Sequence, residues 1–327
     1  MTSRSVRVGA VDCGTNSIRL LVADVDEAGG LTDVVRDVEV VRLGYGVDRT
    51  GRIDPAAMER TLAQSRRYAD ACADAGVGAV RFVATSASRD AENAAEFVAG
   101  VREAFARWDV APEVVTGAEE AALSFRGATG DLRAAGVAAP YLVVDLGGGS
   151  TELARGTDTV EAALSVDVGS VRLHERHLAG DPPTPEQVEA ARADVDVALD
   201  AADAAVDLGS VRALVGLAGS VTTITAHRLR LPAYDAAAVH LATCSPDEAR
   251  AASLDLLHAT RAERAALPYV HPGRVDVIGA GALVWERVVA RVEARSAPYR
   301  SGEPLLVVTS EHDILDGIAL TAAERLR

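Results

Sequence analysis

Apolar and polar positions along this chain alternate between two kinds of run. Short, mostly apolar segments predict buried strands, and apolar positions spaced by three and four predict helices. Val6 to Asp12 and Ile18 to Asp24 read as strands joined by the turn Cys13-Gly14-Thr15-Asn16-Ser17, and Leu31 to Arg42 supplies a third after Gly29-Gly30. Asp54-Pro55 opens a helix, with Asp as cap and Pro at the first helical position; it runs to about Ala75 and stops at Gly76. Val80 to Ala84 and Glu113 to Val115 are short strands. Between them Ala94, Phe97, Val98, Val101 and Phe105 mark one helical stripe, and Ala118 to about Arg126 is helical.

The order then recurs. Tyr141 to Asp145 is a strand, Leu146-Gly147-Gly148-Gly149-Ser150 a glycine turn, Thr151 to Ala154 the return strand and Ala162 to Val168 a third. Thr184-Pro185-Glu186-Gln187 is a capping box opening a long alanine-rich helix. Ala213 to Leu217 is a strand closed by Ala218-Gly219-Ser220, mostly helical sequence follows to about Arg295, Leu305 to Thr309 is a last strand and Glu311 to Leu326 a last helix. A strand, an aspartate, a glycine turn and a return strand thus occur twice, half a chain apart. The repeat predicts two similar α/β domains with a cleft between them. The expected boundaries are 1–128 and 129–310, with the helix 311–327 packing back on the first domain.

A length of 327 residues accommodates two such domains. The net charge of −15 argues against nucleic acid or an anionic membrane as a partner, so an anionic substrate must be met by clustered arginines, backbone amides or a divalent metal. The sequence contains no lysine; its 33 basic residues are all arginine. That excludes a Walker A lysine, a pyridoxal Schiff base and a Ser–Lys dyad. Three scattered cysteines form neither a disulfide framework nor a zinc cluster, and no signal peptide or membrane-length apolar run is visible. A cytoplasmic location is expected.

The two glycine turns carry the candidate chemistry. In Val11-Asp12-Cys13-Gly14-Thr15-Asn16-Ser17 and Val144-Asp145-Leu146-Gly147-Gly148-Gly149-Ser150-Thr151-Glu152, small residues follow an aspartate at the end of a strand. Without Cβ atoms in the way, backbone amides approach a phosphate closely and form an anion-binding concavity. Ser and Thr hydroxyls add donors. The aspartate repels a phosphate directly, but holds Mg²⁺ or orients a water. The pair of turns is the signature of the actin, Hsp70 and sugar-kinase superfold, a duplicated actin-like ATPase (ribonuclease H-like) fold whose two domains flank a central cleft. Gly216-Leu217-Ala218-Gly219-Ser220 has the place of that superfold's third glycine turn.

Four motifs in register resemble the exopolyphosphatase / guanosine pentaphosphate phosphatase (Ppx/GppA) family in its short, two-domain form. They are Asp12 to Leu20, Ala84 to Asn93, Val115 to Ala121 and Asp145 to Glu152. The resemblance implies hydrolysis of a terminal phosphoanhydride, with inorganic polyphosphate or a guanosine polyphosphate as substrate and a homodimer as the assembly. It implies that Glu120 is the catalytic base, Glu119 being the adjacent alternative, and that Asp145 and Glu152 serve Mg²⁺ or Mn²⁺. Phosphate would be bound by Gly14, Thr15, Asn16, Ser17, Gly147, Gly148, Gly149 and Ser150, and by the guanidinium of Arg89, which can contact phosphate oxygens in bidentate fashion. Arg19 either faces the cleft or pairs structurally.

Two departures from the family pattern bear on function. Leu315 stands where many members have an arginine, and the extra C-terminal domains of longer members do not follow, which points to short polyphosphate or a nucleotide polyphosphate. An ATP-dependent kinase of the same superfold would need an adenosine pocket and an acceptor base, for which the sequence shows no strong sign. His174 and His177 lack zinc-protease spacing and are expected to be structural, His312 is expected to pair locally, and Cys13 is a small space-filler.

Overall fold

The structure is a computed structural model that describes residues 5–84, 91–300 and 302–326. The chain divides into two compact units, Met1–Gly127 with Ile314–Arg327, and Ala128–Asp313.

The first unit is built on a five-stranded sheet in the order β3-β2-β1-β4-β5. Its strands are β1 (Val6–Cys13), β2 (Ile18–Val25), β3 (Leu31–Glu39), β4 (Ala79–Ala84) and β5 (Glu113–Val114). β1, β2 and β3 are antiparallel neighbours, while β4 runs parallel to β1 and β5 parallel to β4. Alternation along β1 explains why its apolar run is nearly continuous: both faces are covered. Val11 and Cys13 pack with helices α1 (Pro55–Asp74) and α2 (Ala94–Ala104) through Met58, Tyr68, Phe97 and Val101. Val8 and Ala10 point the other way, into a cluster with Leu123 of α3 (Gly117–Ala134) and with the last helix. Asp54 caps α1 as expected, accepting from the amides of Ala56 and Ala57. β3 ends at Glu39, three residues short of the expected limit, because Arg42 turns into the left-handed region at φ 54°.

The second unit repeats the topology. Its six-stranded sheet has the order β10-β11-β9-β6-β7-β8. The strands are β6 (Tyr141–Leu146), β7 (Thr151–Gly156), β8 (Val160–Val166), β9 (Ala213–Leu217), β10 (Thr243–Cys244) and β11 (Leu306–Thr309). The meander β6-β7-β8 is antiparallel and β9 and β11 add in parallel, as β4 and β5 do in the first unit. The core on one face comes from α4 (Ser170–His177), α5 (Pro185–Val206), α6 (Ala218–Leu229), α7 (Pro246–His258) and α8 (Ile278–Ser296), with the fully buried Trp285 at its centre. Thr184 and Gln187 form the expected capping box on α5.

The last helix, α9 (Ile314–Glu324), starts at Ile314 rather than Glu311, since the Ser310 hydroxyl first binds the His312 backbone, donating to its carbonyl and accepting from its amide. Leu315 is buried among Val8, Ala10 and Leu21. The position where the resemblance leads one to expect an arginine is thus held by a core residue. Asp316, fully buried, pairs with Arg36 of β3. Gly317 lies so close to α3 that a Cβ would sit 2.1 Å from the Leu123 carbonyl oxygen. α9 therefore fixes the position of α3 through a contact that only glycine permits. No helix among the described residues is long and apolar enough to cross a membrane.

Candidate active-site elements

The two aspartate turns share one backbone design. In the first, the Gly14 amide donates to the Ser17 carbonyl at 2.9 Å; in the second, the Gly147 amide donates to the Ser150 carbonyl at 3.0 Å. Each turn is braced from one side. The Thr15 and Asn16 carbonyls accept from the amides of Gly44 and Arg42, both at 2.8 Å. The Gly147 carbonyl accepts from the Ser170 amide at 3.0 Å, and that of Gly148 from Val171 at 2.8 Å and Arg172 at 3.1 Å, all at the start of α4. In a trans peptide the C=O and the following N–H point in opposite directions. The amides of Asn16 and Ser17, and of Gly148 and Gly149, therefore face away from their braces, the orientation an anion-binding turn needs.

Side chains at the strand ends differ sharply between the turns. Register pairs Asp12 with Arg19, and Arg19 donates to Asp12 Oδ2 from Nε at 2.9 Å and from Nη2 at 2.7 Å. Asp12 follows Val8 and Ala10 on β1, so this pair lies on the face packed by α3 and α9. In the second hairpin register pairs Asp145 with Glu152, so two buried carboxylates share one face of the sheet. Glu152 is also opposite Ser165 of β8, whose hydroxyl donates to Glu152 Oε1 at 2.7 Å. Ser150 is buried at the end of the turn, and Thr151 donates to the Val168 carbonyl at 2.5 Å. Two acids side by side at a buried strand end suit a divalent cation, which satisfies both charges at once.

The adjacent glutamates at the start of α3 have different surroundings. Glu119 is exposed and accepts from the Thr116 amide and hydroxyl, both at 2.8 Å, while its own amide donates to the Thr116 hydroxyl at 3.3 Å. This is a capping box. The Thr116 amide and hydroxyl hold the Glu119 carboxyl below the usual carboxylate range. Glu120 is 7% exposed and lies one helical turn before Leu123, which packs on Val8 and Ala10. α3 thus turns Glu120 toward the sheet face that carries Asp12 and Arg19.

Of the remaining expectations, Arg89 lies outside the described residues. His177 binds Asp194 at 2.9 Å, a structural contact. Cys13 is buried, and burial, with Asp12 beside it, pushes its thiol well up, which suits a space-filler and not a nucleophile. Ser165 and Gly169 escaped the sequence reading. A Cβ on Gly169 would lie 2.5 Å from the Gly148 carbonyl, so the glycine lets α4 begin directly beneath the turn. Among the described residues, the group of three side chains able to share a metal ion lies elsewhere in the second unit: Asp131, His240 and His312.

Residues 21–301 match the model of the Ppx/GppA phosphatase family. The chain belongs to this family. It is 49% identical to exopolyphosphatase 2 of Mycobacterium tuberculosis over 322 residues, 97% of this chain and 98% of that protein. Among solved structures, an exopolyphosphatase-like protein superposes with a TM-score of 0.93 at 47% identity, covering 98% of this chain and 99% of the other. The Aquifex aeolicus Ppx/GppA member gives 0.79 at 25% identity, with 99% of each chain covered. A nucleoside triphosphate hydrolase from Neospora caninum shares the fold alone, at a TM-score of 0.51 and 10% identity. The duplicated sheets of this Ppx/GppA chain are the actin-like ATPase fold, and its family chemistry is phosphoanhydride hydrolysis.

Proposed function

We propose that this chain is an exopolyphosphatase, which hydrolyses the terminal phosphoanhydride of inorganic polyphosphate and releases orthophosphate in the cytoplasm. The observation that carries this reading is its likeness, over nearly the whole of both chains, to the M. tuberculosis exopolyphosphatase 2. The turns, the paired acids and the buried glutamate supply groups suited to the reaction.

Asp145 and Glu152 are the residues to hold Mg²⁺ or Mn²⁺, and such an ion, when bound, offsets charge on the phosphoryl oxygens. The outward amides of Gly148, Gly149, Asn16 and Ser17, with the hydroxyls of Thr15, Ser17 and Ser150, hydrogen-bond those oxygens. Gly14 and Gly147 close the two turns and set these amides in place. Asp12 holds the plane of the Arg19 guanidinium through Nε and Nη2. Glu120 orients a water and takes its proton as oxygen attacks the terminal phosphorus. Glu119 is already committed to the helix cap and is a poor base, since its carboxyl is held low.

The test is orthophosphate release from graded polyphosphates, guanosine pentaphosphate, and ATP with a sugar panel, each with and without a chelator. Polyphosphate should be the best substrate, activity should require the divalent ion, and Glu120→Gln should lower turnover by roughly 10²–10⁴ while substrate still binds. Full activity in Glu120→Gln, or a clear preference for guanosine pentaphosphate, would overturn the assignment.

A further inference from the structure

Asp131, His240 and His312 converge in the second unit beside the two points where the chain enters and leaves it. Asp131 is on α3, just after the crossing at Gly127–Ala128, and His312 just precedes the crossing at Asp313–Ile314. His240 follows the short helix Ala236–Val239. The Asp131 carboxylate is in hydrogen-bond contact with His312 Nδ1, and the same oxygen is 3.6 Å from His240 Nε2. The two imidazole rings lie 4.6 Å apart, centre to centre. One donor atom from each of the three residues lies within 4.8 Å of the others, and all three side chains are half-buried.

We propose that these residues form a site for a zinc-class divalent metal, which ties the entering segment of the second unit to the departing one. Two imidazole nitrogens and one carboxylate oxygen are the donor set of zinc, cobalt or nickel, and a poor set for magnesium, which takes oxygen. Donor atoms bound at about 2.1 Å in a tetrahedron lie about 3.4 Å apart. The 3.6 Å from His240 to Asp131 already matches that span, while the His312–Asp131 contact has to open. The supporting contacts are in place. The Ser310 hydroxyl fixes the His312 backbone, and Tyr234 donates to the carboxylate of Glu311, the residue between Ser310 and His312.

A proton competes for the same space. The Glu311 amide donates to His240 Nδ1 at 3.2 Å, so the neutral ring carries its proton on Nε2, toward Asp131. Binding a metal through Nε2 obliges His240 to carry its proton on Nδ1 instead and so to release the Glu311 amide. The contacts given up include the Glu311–His240 hydrogen bond and the His312–Asp131 contact, against three donor atoms closing on a divalent ion.

Zn²⁺ is titrated into the full chain by calorimetry in excess Mg²⁺, with Co²⁺ absorption as a second readout. One saturable equivalent is expected, with a rise in melting temperature. Losing a residue that merely orients a metal ligand costs roughly 10- to 100-fold in affinity, so His240→Ala and His312→Ala should each cost at least about that. Glu152→Gln should leave Zn²⁺ affinity unchanged while lowering the Mg²⁺-dependent turnover assigned to the second hairpin, which separates this site from the proposed catalytic one. Circular dichroism checks folding, and His312→Gln and Asp131→Asn replace any variant that fails it. The proposal is overturned if the wild type shows no saturable Zn²⁺ binding in Mg²⁺, if the histidine variants bind as well as the wild type, or if only Glu152→Gln loses the ion.

Discussion

The two hairpins share one backbone device and differ in the charge set opposite its aspartate. Both place an aspartate at the penultimate residue of a strand and close the turn with one amide-to-carbonyl bond between the first and last of its four residues. The residue opposite that aspartate is Arg19 in the first hairpin and Glu152 in the second. The first hairpin therefore balances its aspartate within the protein. The second doubles the negative charge at a buried strand end, an arrangement that costs stability when the charges face each other directly. Duplication supplied the backbone twice, and a single cross-strand position separates the two uses. In the proposed reading, the acid at the end of the first hairpin is balanced within the protein and the acids of the second are to seat a cation.

The strongest way to break this comparison is to give the second hairpin the first one's chemistry. Glu152→Arg places an arginine opposite Asp145 and should leave the chain folded. Turnover should fall by about 10³-fold, since a metal's stabilisation of developing charge is worth several kcal/mol and each 1.4 kcal/mol is tenfold. Metal-dependent turnover at the wild-type level in this variant would end the idea that the second hairpin is the seat. The converse change tests the balance in the first hairpin. Arg19→Met leaves Asp12 buried beside an apolar chain and should cost about 3 kcal/mol, read as a lower denaturant midpoint. A loss under about 0.5 kcal/mol would show that Asp12 is not balanced by Arg19.

Much of this contrast was legible in the sequence, for physical reasons. A strand followed by an aspartate and small residues is a local signal, and its recurrence implied the duplicated fold. Asp145 and Glu152 are separated by a turn of fixed length, so their pairing followed from the hairpin itself. Arg19 was ambiguous because its partner, Asp12, is set by register, which a one-residue slip would reverse. Glu119 and Glu120 were inseparable until the helix start was known to be Gly117, which makes Thr116 the cap. Ser165 and Gly169 were invisible. Their roles depend on the third strand's register and on the approach of α4, and neither leaves a mark on local pattern. The Asp131, His240 and His312 cluster was equally hidden, because its members come from three distant segments.

A smaller effect sharpens the picture of the seat. Ser165 donates to one oxygen of Glu152 and so fixes the carboxylate's rotation. Ser165→Ala should weaken Mn²⁺ binding by roughly tenfold, the lower end of the range for groups that orient metal ligands. Spin-label-free Mn²⁺ titration by paramagnetic resonance reads this directly, whatever happens to turnover. The first hairpin has no equivalent need, since Arg19 itself orients Asp12 through two N–H groups. Unchanged Mn²⁺ affinity in Ser165→Ala would make the hydroxyl a packing detail.

The smallest expected effect concerns the helix that presents Glu120. Thr116→Ala removes the cap and should cost about 1 kcal/mol. Glu119→Gln keeps a capping-box residue, so turnover should stay within a few-fold of wild type, in contrast to Glu120→Gln. The pH dependence has a definite sign. Glu119 is held below its ordinary range in the fold, so its contribution is present above the ordinary carboxylate range and is lost as pH falls through the lowered value. The difference in unfolding midpoint between wild type and Glu119→Gln should therefore be present near neutrality and close in acid. A difference that widens in acid would mean that the Glu119 carboxylate does not cap α3, and the base assignment between the two glutamates would reopen.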